Sequence, residues 1–388
     1  MSDYVVLRRN AAAQNLGGLS SVGFRASTAP LAPLVDVHDL HRSEAADLRR
    51  DPDVLAVARA MPTKLIEPVA NGAGGGGPAW GIAAVGADQS GFTGAGCTVA
   101  ILDTGIDSTH PAFAGVTIVE QDFTGDENGD RVGHGTHCAG TILGRDVAGV
   151  RIGIARGVDN ALIGKVLGDA GAGDSSMLFR GIQWALDQGA NVISMSLGFD
   201  FAGLVGRLEQ TGWPSDLATS AALESYRSNL RMFDALMGMA QAGAPFDRDP
   251  VVIAAAGNES HREIDAKYRI AASLPAAAFN TVSVAAVGGA NPGPYAVTAF
   301  SNSAAVLSGP GLDILSAAPG GGMATMSGTS MACPHVAGVA ALWSEALRAS
   351  GLRAGGASIQ AKLRATSRTA VISAMDEVDV GLGLVTAP

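Results

Sequence analysis

Five apolar runs constrain this chain more than any other feature of it. TVAILDTG (98–105), ALIGKVL (161–167), NVISMSLG (191–198), VVIAAAGN (251–258) and TVSVAAV (281–287) are too continuous for strands with one wet face. Strands buried on both faces are the mark of a parallel sheet covered by helices. Helical patterns alternate with them, at 175–188 through Leu178, Ile182, Trp184 and Ala185, and at 331–348 through Val336, Val339, Leu342 and Trp343. The expected fold is α/β, a doubly wound, mostly parallel sheet with helices on both faces. In such sheets ligands bind beyond the carboxyl ends of the strands, and Asp103, Gly198 and Asn258 stand at those ends.

Composition narrows the function classes. The chain has 388 residues and a net charge of −10, and its 26 Lys and Arg form no basic block that could track phosphates, so nucleic acid is not an expected partner. No stretch is apolar for the length of a membrane span, so no membrane partner is expected either. The start, MSDYVVLRRN, places Asp3, Arg8 and Arg9 where a secretory signal needs an apolar run, which makes cytoplasm the expected location. Cys97, Cys138 and Cys333 are odd in number and far apart, which implies no disulfide framework and a role as small buried residues.

GAGGGGP at 72–78 has no side chains to anchor a core and reads as a connector, with 72–79 separating an N-terminal segment, 1–71, from a main domain, 80–388. In the segment, Tyr4–Leu7 predicts a strand, 11–33 is a mixed small-residue stretch, Ser43 is placed to cap a short helix ending before Pro52, and Val54, Leu55 and Val57 suggest another strand. Its few apolar residues require it to lean on the main domain. Between Gly198 and Val251 lies a long insertion, around 199–245, with a helical pattern of Leu223, Tyr226, Leu230, Phe233, Leu236 and Met237. Long insertions are often functional, though a plain appendage is the simpler reading.

The chemistry-bearing residues are individually ambiguous. Asp103 ends a strand before Thr104 and Gly105; the same triplet marks aspartic peptidases, but those need a second one, and the chain has none. His134 opens GHGTHCAGTILG, and His137 three residues on could share a metal, yet no third ligand completes a zinc set nearby. Ser330, in MSGTSMACPHVAG, begins a long small-residue helix; alone it reads as a cap, with Pro334 fitting the first turn. A nucleophilic Ser needs a base, a carboxylate to orient that base, and donors for an oxyanion, which His134, Asp103, the Ser330 amide and the Asn258 side chain can supply together. Asn258, after Gly257 at a strand end, has the plainer alternative of a turn residue.

These runs (AILDTGID, GHGTHCAGTI, NVISMSLG, AAAGNE and SGTSMACPHVAG), in this order, closely resemble the subtilisin-like serine peptidases over 80–388, where VGLGLV resembles the closing segment and no further domain is expected. The resemblance implies a serine endopeptidase acting on protein or peptide: Ser330 attacks, His134 carries the proton, Asp103 orients His134 and Asn258 stabilises the oxyanion. Substrate is expected to add as a strand between Ser196, Leu197, Gly198 and Gly171, Ala172, Gly173. Gly198, Ala256, Gly257 and Glu259 would surround the primary pocket, whose small residues admit a large apolar side chain, while Glu259 would favour a basic one.

Such chemistry requires no cofactor. A familiar calcium position of the family holds Ala112 here, and the loop DFTGDENGD offers Asp122, Asp126, Asn128 and Asp130 as possible calcium ligands or as an ordinary solvated loop. SEAADLRRDPDVLAVARAMPTKLIEP more faintly resembles the family's inhibitory propeptide, which would make the N-terminal segment an intramolecular inhibitor, a zymogen device cleaved near the Gly-rich linker. Two other functions fit the same residues: an acyl transferase or macrocyclase, in which an amine replaces water, and a binding scaffold whose cleft stays blocked.

Overall fold

The computed structural model describes residues 2–9, 33–69, 79–242, 244, 249–290, 292–373 and 376–388. The Gly-rich connector and most of the small-residue stretch before residue 33 lie outside them.

In the N-terminal segment, β1 (Ser2–Arg9) is flanked antiparallel by β2 (Pro33–Leu40) and β3 (Val54–Arg59), with α1 (Arg42–Leu48) on one face. Residue alternation splits this small sheet. Tyr4, Val6 and Val57 pack with Ala45 of α1, while Val5, Leu7, Val35 and Ala58 join a core of the main domain. Ser43 does not cap α1; His41 does, through its ring to Ser43 N, while Glu44 reaches back to His41 N at 2.7 Å. A four-residue strand absent from the sequence reading, β4 (Pro62–Leu65), leaves this unit and enters the main domain.

The main domain runs through α2 (Trp80–Ala84), β5 (Thr98–Asp103), β6 (Thr117–Asp122), α3 (His134–Leu143), β7 (Asn160–Lys165), β8 (Ala172–Asp174), α4 (Ser175–Asp187), β9 (Val192–Met195) and β10 (Leu197–Phe199). It continues through α5 (Phe201–Gln210), α6 (Ser215–Gln241), β11 (Val251–Ala255), β12 (Thr281–Gly288), β13 (Ala296–Val297), β14 (Leu307–Pro310), β15 (Ile314–Ala318), β16 (Gly322–Met326), α7 (Thr329–Ala349), α8 (Gly356–Thr366) and α9 (Glu377–Val380). The central sheet has the order β13-β12-β11-β9-β5-β7-β6, with β14 also on β12, and every pairing but β12–β13 is parallel. The order reverses at β5, so Asp103, its last residue, stands at the switch point where a crevice opens.

Both faces of the inner strands β5, β9, β11 and β12 are buried, while the edge strand β6 is partly exposed. Val99 and Ile101 of β5 pack under α3 and α7 with Ile142, Val336 and Val339, while Ala100 and Leu102 pack under α4 and α6 with Leu178, Ile182 and Phe233. Phe179 and Phe233 tie α4 to α6 with ring centroids 4.7 Å apart. The insertion is the α5–α6 hairpin. Phe233, Leu236 and Met237 are buried, but Leu223 is exposed, so the apolar stripe is narrower at its amino-terminal end than its pattern implied. Among the described residues no helix is long and apolar enough to cross a membrane.

Candidate active site

Asp103 and His134 meet because β5 ends where α3 begins. Gly105 has φ +105°, and a Cβ on Gly135 would lie 2.1 Å from the Gly105 carbonyl oxygen, so only glycines allow the strand end and the helix start to close. Asp130 locks that junction. Its Oδ1 accepts from Thr104 Oγ1 at 2.9 Å and Gly133 N at 2.8 Å, its Oδ2 from Thr136 N and Oγ1 at 2.8 and 2.7 Å, and Thr104 Oγ1 in turn accepts from Gly135 N.

Within this frame His134 Nδ1 donates to Asp103 Oδ1 at 2.7 Å, and both side chains are 1% exposed. A carboxylate can only accept, so the imidazole proton sits on Nδ1 and Nε2 keeps the lone pair a base needs. Nε2 has no hydrogen-bond partner among the described residues.

Ser330 is the second residue of α7, where backbone amides have no helical acceptor and can serve an oxyanion. The helix begins at Thr329, so Pro334 lies in its second turn rather than its first. Its missing amide frees the Ser330 carbonyl, which accepts instead from Ser196 Oγ at 3.2 Å and Cys138 Sγ at 3.4 Å. Burial pushes the Cys138 thiol well up, which keeps it a protonated donor. All three cysteines are free and buried, and burial likewise raises Cys97 to about 12 and Cys333 to about 11.

Asn258 Oδ1 accepts from Thr329 N and Oγ1, both at 2.9 Å, which turns its Nδ2 outward as a donor. Gly257, with φ +111°, makes the bend that presents it. Sequence reasoning missed Thr329, Thr104 and Thr136; their hydroxyls act through oxygens that only the fold supplies.

The rim strands hold a peptide. β4 lies between β10 and β8, antiparallel to both, with Lys64 opposite Gly198 and Ala172, and Thr63 opposite Phe199 and Gly173; Leu65 N donates to Gly171 O at 2.8 Å. The chain then crosses Ser330 and Asn258. Ile66 is buried, with its side chain over Gly198, and Ser330 Oγ donates to Ile66 O at 3.1 Å, with Ser196 O at 3.4 Å. Asn258 Nδ2 donates at 2.9 Å to the next carbonyl, that of Glu67, and Val69 pairs with Ser327 beyond. Ser330 makes no hydrogen bond to His134.

Of the other pocket candidates, Ala256 is buried and Glu259 is tethered, its Oε2 accepting from Asn302 Nδ2 at 2.7 Å. The carboxylates of the acidic loop accept hydrogen bonds from backbone amides. Asp122 accepts from Thr124, Gly125 and Glu127 amides, Asp126 from Asp169 N, and Asp130 is the lock just described. Among the described residues the one cluster of metal-type ligands is Asp103, His134 and Cys138, the first two of which are the hydrogen-bonded pair described above. His137 Nε2 meets Ile314 O and Ala324 O, and burial pushes its pKa down to about 3.

An Asp–His pair at the switch point of a doubly wound sheet, with a Ser at a facing helix start and an Asn donor beside it, defines the class of α/β serine hydrolases with the chain order Asp, His, Ser. Residues 94–383 match the model of the subtilase family, peptidase S8, and the chain belongs to that family. It is 35% identical over 277 residues to subtilisin-like protease 6 of Trichophyton soudanense, and equally to that of Trichophyton rubrum, covering 68% of this chain and 57% of each relative. To the subtilisin-like serine protease Pen c 1 of Penicillium citrinum it is 32% identical over 314 residues, 77% of this chain and 66% of the relative. The matches thus span less than two thirds of these relatives' length.

Proposed function

We propose that the protein is a serine endopeptidase restrained by its own N-terminal segment. The observation that carries this reading is the strand Pro62–Leu65 seated between two rim strands, delivering successive carbonyls to Ser330 and Asn258. The site thus accepts an extended peptide by its backbone. In the reaction Ser330 Oγ attacks the carbonyl carbon, its proton passes to His134 Nε2 and then to the leaving amine, and Asp103 holds the imidazole as its charge develops. Asn258 Nδ2 and the Ser330 amide receive the oxyanion. Water then resolves the acyl-enzyme.

The same contacts account for restraint. The Ser330 hydroxyl is engaged by Ile66 O and the Asn258 amide by Glu67 O, so nucleophile and oxyanion donor hold adjacent carbonyls and His134 is left out. Turnover requires Ser330 to turn to His134 and Asn258 to take the carbonyl that Ser330 attacks. On this reading the bond processed is Ile66–Glu67, upstream of the Gly-rich connector, and no metal is required, so a chelator leaves the rate unchanged.

The test is Ser330→Ala in the full chain, expected to abolish labelling by an active-serine phosphonate, to prevent formation of a fragment ending at Ile66, and to lower peptide hydrolysis about a million-fold, the loss found in subtilisin. Hydrolysis unchanged in that variant would end the proposal.

A further inference from the structure

The seam between the N-terminal segment and α6 holds a site that peptide hydrolysis does not use. Two adjoining cavities of about 310 and 360 Å³ share Arg49, Glu224 and Ser228. The first is lined also by Arg42 and Arg59 from the segment, with Tyr4 and Trp213 as aromatic walls, and the second by Arg227 and Arg231 of α6. Five arginines from two separate parts of a chain whose net charge is −10 therefore line this pair of cavities. Glu224 is the one acid lining the cavities, and it is engaged by Arg42 at 3.4 Å. Arg49, Arg59, Arg227 and Arg231 have no side-chain hydrogen bond or ion pair among the described residues. The seam is otherwise a fitted contact: Asn229 of α6 is buried and donates to Arg59 O at 2.9 Å.

Like charges brought together across a joint oppose its closing unless an anion sits between them. Arginine forks suit oxyanions bearing several charges. We propose that this seam binds a small polyphosphate anion, which in the second cavity bridges Arg49 of the N-terminal segment to Arg227 and Arg231 of α6 and holds the segment docked. The regulatory consequence rests on the reading that the segment restrains the peptidase; the binding does not. Because the site is complete only when the segment is docked, the ligand stabilises the docked form by linkage.

The experiment uses full-length Ser330→Ala protein, so that neither turnover nor processing interferes, with inorganic tripolyphosphate as probe. Calorimetry is expected to show saturable binding, and thermal unfolding a rise of about 3 °C at saturation. Arg49→Gln with Arg227→Gln should weaken binding at least tenfold, while Arg353→Gln, away from the seam, leaves it unchanged. Sodium chloride at matched ionic strength should give no such rise. Failure of tripolyphosphate to bind below 10 mM (roughly the millimolar limit of specific affinity), or equal binding by the double variant, overturns the site. Binding without any slowing of wild-type activation would instead fault the restraint reading and leave the site standing.

Discussion

At the scale of single residues, the candidate site depends on polar groups whose partners lie far away in sequence. Asp130 shows this best. Read as one acid in a calcium-like loop, it is in the fold a 9% exposed carboxylate that accepts from Thr104, Val132, Gly133 and Thr136, and so fixes the strand end bearing Asp103 to the helix start bearing His134. Asp130→Ala strips those donors of their acceptor and is expected to cost about 3 kcal/mol, read as a lowered urea midpoint with unchanged slope. Its second signature is a fall in kcat with little change in KM, since it acts on the base and not on substrate. A variant with normal stability and normal kcat would reduce Asp130 to loop filling. Asp103, His134, Ser330 and Asn258 were legible in the sequence because each interrupts an apolar or small-residue pattern at an element boundary. Asp130, Thr104 and Thr329 were not, because an acid or hydroxyl in a polar loop carries no sign of what it will meet.

At the scale of elements, legibility followed burial. The five central strands announced themselves by uninterrupted apolar runs, and α4 and α7 by their helical spacing. β4 could not: PTKL is too short to show a period and has Thr63 as its one β-branched residue, and it is a strand because β8 and β10 stand on either side of it. The segments that form β8 and β10 were expected as a rim only through the family resemblance, and the chain fills that rim itself. Strand addition rests on backbone hydrogen bonds, so removing one donor tests the restraint without touching the catalytic groups. Leu65→Pro deletes the amide that donates to Gly171 O, and the full-length variant is expected to hydrolyse a fluorogenic peptide sooner and faster than wild type. If the variant stays as silent as the parent, restraint comes from the body of the segment on α4 and α6 and not from the strand in the cleft.

At the scale of the whole molecule, two neutral imidazoles sit inside the larger core, and they set how the protein responds to acid. His137 is gripped between Ile314 O and Ala324 O, and His335 Nδ1 bonds Met331 O while its Nε2 fills the space that a Cβ on Gly81 would need. Burial pushes His137 down to about 3 and His335 to about 4, from an ordinary value of 6.5. In the unfolded chain both take up protons as pH falls below 6.5; in the folded chain neither does until those lower values. The unfolded state therefore binds more protons throughout that window, and stability, full above pH 6.5, falls as pH drops toward 3–4. At about 1.4 kcal/mol for each unit of difference, the two together amount to several kcal/mol, enough to dominate acid unfolding of a domain of ordinary stability. His137→Gln keeps a donor for the two carbonyls but cannot titrate. Its unfolding free energy, measured in urea from pH 7 to pH 4, is expected to start lower than the parent's and fall less steeply. Parallel curves for parent and variant would mean that carboxylates, and not the buried imidazoles, govern the acid limb.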